Sequence, residues 1–487
     1  MADKLSHRTN PYRSLAPHPY PSPSRGGEEN CLAGALLAAG AVLLLVAAQV
    51  GLVWIAPSLA GTKPVAVHEV LPLIALLSVP AGLGLLVAPR VLRLPPSRVA
   101  MGVMIGAGLV MRLVWFGAPA PFEDDFYRYL WDGAVVAAGG NPYGIAPAGI
   151  AGVRGAGADV LARINFPELT TIYPGVAQAA FAVAHVIAPW KLDGLRAVFL
   201  AADLVGLWVL IALLGRLGQS PLVAGLYWLN PLVVFAIFGT AHVDGILVPL
   251  LLGSVLALSA AWPVAAVGLL ALAVGVKIWP VVLAPLVFAQ IWRRRRRVGL
   301  AVAVFVAICV IAVGPLVVTS LAKSSGLAAY ASDWHNNNGP FAWASYGLYL
   351  LAGEGSTLQL ALRAAVAAGV GAVAVWAALQ PVVRVERLVE LALVVTACLF
   401  YLQPVQFPWY ALGFLPFAVV TRCWPLLMPA VTLPAYYLFF PLWNSGQGDA
   451  FRYGVAFVHA LPVWGWLVAR WWSRHRRDQP LSEAVCA

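Results

Sequence analysis

The chain has 487 residues, 61% hydrophobic and only 10% charged, with a formal charge of +11 and a mean hydropathy of +0.83. Soluble domains average about 25% charged residues, so 20 acids and 31 bases cannot cover a water-exposed surface of this length. The composition excludes a soluble enzyme, a disordered chain and a nucleic-acid partner, because the bases sit in short clusters between apolar runs, as in cytoplasmic loops of membrane proteins.

Residues 1–30 are polar and rich in Pro, Ser and Arg, and read as a disordered cytoplasmic tail. The apolar run from Leu32 to about Ala56 is too long for a signal segment and reads as a membrane anchor. At about 20 apolar residues per span, the chain predicts an all-α polytopic protein with about fourteen transmembrane helices. Their starts fall near residues 32, 69, 98, 171, 195, 220, 243, 263, 298, 358, 387, 408, 424 and 452. Residues 31–97 form two N-terminal helices, 98–357 a module with long loops at 117–170 and 321–357, 358–473 a C-terminal module, and 474–487 a second cytoplasmic tail.

Orientation follows from the bases. Lys4, Arg8, Arg13 and Arg25 lie in the tail, and Arg90, Arg93 and Arg98 in the second connection. Arg293 to Arg297, Arg384, Arg387, Arg470, Arg474, Arg476 and Arg477 follow. With fourteen spans all of these are cytoplasmic, and both long loops are on the outer side. The five cysteines, Cys31, Cys309, Cys398, Cys423 and Cys486, form no C-x-x-C pair and make neither a disulfide framework nor a zinc site. Small-residue pairs at spacing four, such as Gly102 with Gly106, read as helix packing.

The first outer loop holds Glu123, Asp124, Asp125 and Asp132, a large share of so few acids. The spacing predicts a helix from Asp125 to Ala138, stopped by Gly139-Gly140, with acids at the N-terminus where the helix dipole favours them. Asp125, Tyr129 and Asp132 share one face, the two carboxylates roughly 10 Å apart along the axis. Asp124 and Arg128 are spaced as an i,i+4 ion pair. An Asp free of that pair is a candidate general base. Adjacent carboxylates, Asp124 above all, are candidates for a divalent cation such as Mg or Mn. The alternative is a capped interfacial helix whose acids only balance the dipole.

E-D-D-F-Y-R-Y-L-W-D-G from Glu123, followed by N-P-Y ending at Tyr143, resembles the first outer loop of the C-type glycosyltransferases, multi-spanning enzymes that use polyprenyl-phosphate sugars. The resemblance implies that Asp125 is the catalytic aspartate and Asp124 the second carboxylate. Five further segments, in the same order, resemble polyprenyl-phosphate-mannose mannosyltransferases and the GPI mannosyltransferase family. They are Ile172-Tyr173-Pro174; Asn230-Pro231 with the stretch ending His242-Val243-Asp244-Gly245; Gly275 to Pro280 around Lys277; Asp333 to Phe341 with His335 and Asn336; and Gln406 to Pro416. This chain has E-D-D where that family has D-x-D, and Trp334 where it has an Arg. The resemblance implies a C-type fold and a polyprenyl-phosphate sugar donor. It further implies a glycan, glycolipid or protein acceptor and an active site on the periplasmic face of a bacterial inner membrane.

Other polar residues fill out the candidate site. Lys277 lies in an apolar run, where a lysine is costly unless paired or functional; it either meets the donor phosphate or pairs with a carboxylate such as Asp203. Arg112 sits at the outer end of the third span, to snorkel or to hold a phosphate. His335 and Asn336 lie among amides and aromatics suited to sugars. Tyr173, Arg128, Tyr129 and Asp132 complete the first-loop set. His242 and Asp244 are either a site or a structural turn, and the span count puts them on the cytoplasmic side. The rival readings are a lipid or sugar transporter or flippase, and a same-fold transferase of glucose or arabinose.

Overall fold

The computed structural model describes residues 25–61, 64–295, 297–320, 325–353 and 356–475. Residues 1–24 of the expected first tail and 476–487 of the second lie outside the described residues, as does Arg296 of the arginine run. Among the described residues the chain is all-helical, and extended pairing is limited to isolated bridges of Ala60 with Pro121 and Asn336 with Val405. A chain in lipid must satisfy each N–H and C=O within itself, and helices do so locally.

The first helix, α1 (Arg25–Leu59), begins before the expected start and reaches back into the expected tail. It packs against α2 (Val67–Val91), with Gly51 lying on the Leu76 side chain. Next come α3 (Arg98–Leu113), α4 (Asp125–Ala137), α5 (Ala156–Leu161), α6 (Gly175–Ile187) and α7 (Leu192–Arg216). Two short helices, α8 (Gly225–Trp228) and α9 (Pro231–Val234), lead through a π-turn at Phe235–Gly239 to α10 (Leu247–Ser259). After α11 (Pro263–Val276) come α12 (Ala284–Arg293), α13 (Val298–Thr319), α14 (Gly326–Asp333) and α15 (Gly339–Ala352). The last long helices are α16 (Ser356–Leu379) and α17 (Val385–Leu402), followed by a run of short pieces to Leu461–His475.

Among the described residues six helices are long and apolar enough to cross a membrane: Ala33–Leu59, Val67–Val91, Leu192–Arg216, Val298–Thr319, Thr357–Leu379 and Trp424–Asn444. They make this an integral membrane protein. A seventh span results if Pro221–Trp228 and Pro231–Gly239, bent by 56°, count as one. Elsewhere the expected spans resolve into shorter helices. Gly175–Ile187 has 13 residues, less than a bilayer needs. The span expected from 408 is a 3-10 turn, Pro408–Gly413, joined to Leu415–Thr421. Prolines cause many of these breaks, because the ring removes a donor and disfavours helical backbone just before it. Asn230 shows the effect: it is extended ahead of Pro231, and its Oδ1 accepts the Leu232 N–H at 3.0 Å.

Close backbone approach relies on glycines that the spacing rule did not select. Nothing lies near Gly102 or Gly106, so that expected packing pair faces open space. On the same helix Gly108 lets the Trp228 indole lie against the backbone; a Cβ there would sit 2.0 Å from Nε1. Likewise Gly133 of α4 seats against the Phe181 carbonyl, where a Cβ would come to 2.3 Å. That contact sets how closely α4 docks on α6.

Charge inside the bundle is paired. Arg112 Nε donates to Asp203 Oδ2 at 2.6 Å, and both side chains are fully buried. Arg112 Nη1 reaches the Gly108 and Trp228 carbonyls at 2.7 and 2.8 Å, and its guanidinium lies 3.4 Å from the Trp228 ring centroid. The Tyr227 hydroxyl donates to Asp203 Oδ1 at 2.8 Å. This network ties α3 to α7 and α8. Arg112→Ala should cost about 3–5 kcal/mol by stranding Asp203. The pair replacement Arg112→Met with Asp203→Leu should recover most of that loss. Thermal melting in detergent checks this; equal melting of the single and double variants would contradict it.

Candidate functional site

A cleft of about 480 Å³ lies where the start of α4 meets the 165–173 segment, Lys277 at the end of α11, and the 334–336 and 407–440 segments. Its size is that of a small-ligand site. Each wall is positioned by a local break in a helix.

The α4 wall starts at Asp124, the N-cap, and α4 ends as the sequence predicts, with Gly139 in the left-handed region at φ 78°. Glu123, Asp124 and Asp125 all line the cleft. Asp125 stays 37% exposed at the side chain. Burial raises its pKa, and Asp244 adds to this; Lys277 and the Tyr173 hydroxyl pull the other way. Asp124 is pushed up to about 7, mainly by burial and then by the Asp125 charge, against its own backbone and Asn165. Glu123 is raised well above the usual carboxylate range by burial and by both aspartates. Three acids crowd one helix start, and burial with their mutual repulsion pushes their pKa values upward.

The opposite wall is cationic. Helix α11 stops at Val276, and Lys277 is extended at φ −144°. Its Nζ donates to both Asp244 oxygens, at 2.7 and 2.9 Å, and stands 4.3 Å from the Tyr410 ring centroid. Lys277 lines the cleft whereas Asp244 lies behind it, 1% exposed. His242 is fully buried, stacked on Trp409 at 3.5 Å and 12°. Its Nδ1 is 3.9 Å from Asp125 Oδ2, and neither ring nitrogen has a hydrogen-bond partner. Hence the 240–245 turn shares the end of the bundle that carries Asp124 and Asp125. The fourteen-span count put it at the other end, because it took the short Gly175–Ile187 and the bent Pro221–Gly239 as ordinary spans.

Several expected roles change. Lys277 pairs with Asp244 and not Asp203, which Arg112 already holds. Arg112 is fully buried and does not line the cleft, so a place on a substrate phosphate is corrected to a place in the core. Arg128 pairs with Asp132 at 3.0 Å and not with Asp124, because Asp124 is a cap outside the helix while Asp132 is one turn further along it. Asp132 also accepts from Gln178 Nε2 at 3.0 Å and is 1% exposed, so it braces α4 and does not face the cleft. Arg128 still lines the cleft; its Nη1 is spent on the Leu169 carbonyl, and its buried Nη2 has no partner. Tyr129 is buried, stacked 4.5 Å from Phe181, and accepts from the Tyr173 hydroxyl at 3.3 Å; only Tyr173 of the two reaches the cleft.

His335 and Asn336 line the cleft from the second loop. Asn336 is pinned by backbone bonds, donating to Pro404 O at 3.2 Å and accepting from Gln406 N at 3.1 Å. Trp409, Tyr410, Tyr330, Tyr436 and Asn165 also line the cleft without having been singled out from sequence. For Trp409 and Tyr410 the signal was the Gln406–Pro416 segment; Tyr330 and Asn165 carry none. Among the described residues no group of three or more His, Cys, Asp or Glu is placed to hold a metal ion.

No curated protein matches the chain. Residues 31–294, just over half of the chain, match the family model described as alpha-(1->6)-mannopyranosyltransferase, N-terminal domain. That stretch holds Asp124, Asp125, His242, Asp244 and Lys277, while the aromatic wall beyond Tyr330 lies outside it. The chain belongs to this alpha-(1->6)-mannopyranosyltransferase family, and it is a membrane glycosyltransferase of the mannosyltransferase type.

Proposed function

We propose that the enzyme moves mannose from a polyprenyl-phosphate donor to a hydroxyl of a glycan or glycolipid acceptor, at the outer face of a bacterial cytoplasmic membrane. The observation that carries this reading is the facing of a half-exposed carboxylate, Asp125, and an ammonium, Lys277, across one cleft of an integral membrane protein. A lipid-linked donor also accounts for a transferase embedded in a bilayer, because its substrate dissolves there.

The chemistry is a single displacement. Asp125 takes the proton of the acceptor hydroxyl, that oxygen bonds to the anomeric carbon, and the bond from that carbon to the phosphate oxygen breaks. The lipid phosphate leaves, and Lys277, with Arg128 nearby, meets the charge that grows on it. Donors already in place where charge develops need no reorganisation at the moment of reaction. Inversion at the anomeric carbon requires a β-linked donor to give the alpha linkage named for the family. His242 has no hydrogen bond that would hold Asp125, and its role is to fill the space behind that carboxylate.

Asp125→Asn should lower kcat by about 10²–10⁴-fold with unchanged melting; full activity with a polyprenyl-phosphate mannose donor would sink the assignment. The pH profile gives a second check. A base must be deprotonated to act, and burial raises the Asp125 pKa. Activity should therefore climb with pH along an acid limb lying above the ordinary carboxylate value of about 3.9. A limb at or below that value would remove Asp125 as the base. Lys277→Ala should reduce turnover by about 10²–10³-fold and weaken donor use more than acceptor use; equal effects on both substrates would argue against a phosphate role.

A further inference from the structure

A second cavity of about 260 Å³ opens beside the cleft. The two share His335, Asn336 and Phe439, and the second adds Asn338, Trp443 and Arg452. Its floor is rigid. Asn337 is in the left-handed region at φ 48° and donates Nδ2 to the Gln406 carbonyl at 2.7 Å. The buried Gln406 is itself bonded to the His459 ring at 2.8 Å. Trp443 packs on Phe439, with ring centroids 5.4 Å apart, and against Gly448, where a Cβ would meet the indole at 3.0 Å. Even so, 53% of Trp443 is exposed. Arg452 is held only loosely by Asp449, at 3.9 Å.

This combination has a definite chemistry. An indole face covers the C–H surface of a pyranose, while amides and a guanidinium bond to hydroxyls; a few convergent polar groups beside aromatics make an oriented site. Tryptophan alone would also suit a membrane interface, but an interfacial anchor needs neither the fixed amide turn nor Arg452. The donor phosphate has its cation, Lys277, in the neighbouring cleft, and the second cavity has no lysine. We infer that this cavity is the acceptor subsite. It holds the sugar units that precede the attacking hydroxyl in a mannan-type oligosaccharide, with Trp443 as platform and Asn336, Asn338 and Arg452 as hydroxyl partners. The inference rests on the proposed transfer to a glycan and specifies where that glycan lies.

The test uses the full-length enzyme in nanodiscs with polyprenyl-phosphate mannose and α-1,6-linked oligomannosides of increasing length. Trp443→Ala and Arg452→Gln should raise KM for the longer acceptors by about tenfold, the size of one lost contact of about 1.4 kcal/mol. KM for the shortest acceptor and kcat at saturation should stay within about twofold. Trp443→Phe should restore most of the affinity. A KM rise equal at all lengths, an effect on kcat alone, or no effect in either variant would overturn the subsite. Direct binding of the oligomannosides without donor separates this idea from the reaction. Trp443-dependent binding with no mannosyl transfer would sink the proposed function and keep the subsite; transfer with length-independent KM would do the reverse.

Discussion

The ion pair of Lys277 with Asp244 organises the functional end of the molecule. A lysine in so apolar a chain needs a partner, and this one takes both carboxylate oxygens at under 3 Å. Making that bond requires two elements to stop being helices at the same place. Helix α11 ends at Val276 so that Lys277 can extend, and the chain before α10 leaves the helix so that Asp244 can reach it. The same turn delivers His242 against Trp409 and next to Asp125. The pairing thus holds Lys277 in place on its wall of the cleft, with His242 from the same turn 3.9 Å from Asp125 on the other.

Breaking helices in a membrane protein leaves backbone groups to satisfy, and the turn satisfies them internally. The Thr240 N–H donates to Phe235 O at 2.9 Å across the π-turn, and the His242 N–H to Ala236 O at 3.0 Å. Ala241 has φ 57°, a conformation that a non-glycine residue adopts at a cost. Irregular backbone of this kind persists at membrane depth where protein surrounds it or where it lines a cavity. Here the first holds: residues 231–245 are buried in protein behind the cleft. The irregularity that spoiled a regular span count is therefore the same one that builds the site.

What could be read in the sequence was local. The start of α4 at Asp125 and its stop at Gly139 follow from residues within one helix, and both hold in the structure. The acid-poor composition singled out Glu123–Asp125 because scarcity gives each carboxylate weight. Partner choice was not legible, because it depends on contacts far apart in the chain. Lys277 finds Asp244 across 33 residues, and Arg112 finds Asp203 across 91. The sequence offered Lys277 a carboxylate such as Asp203 and gave no sign of Asp244. Even within α4, the Arg128 partner turned on whether Asp124 was inside the helix or its cap, a difference of one residue. The count of about fourteen spans finds no confirmation for a related reason: hydropathy measures apolar length, and neither the 56° bend at Asn230-Pro231 nor a 13-residue α6 changes the apolar sum.

The two buried ion pairs show why one basic residue belongs to the core and the other to the cleft. Arg112 spends its Nε and Nη1 donors on Asp203 and two carbonyls, and Trp228 covers its plane. It is fully enclosed, so no ligand reaches it. Lys277 carries three N–H donors on a compact charge and commits two of them to Asp244, leaving one with part of its surface on the cleft. Asp244, in turn, is 1% exposed and holds Lys277 through both of its oxygens. In the proposed reaction an anion entering the cleft would meet an ammonium already oriented by Asp244. Arginine in that place would present a wide planar fork and could not give one acid and one incoming oxygen the same compact charge. The choice of lysine at 277 and arginine at 112 thus follows from what each site has to leave unsatisfied.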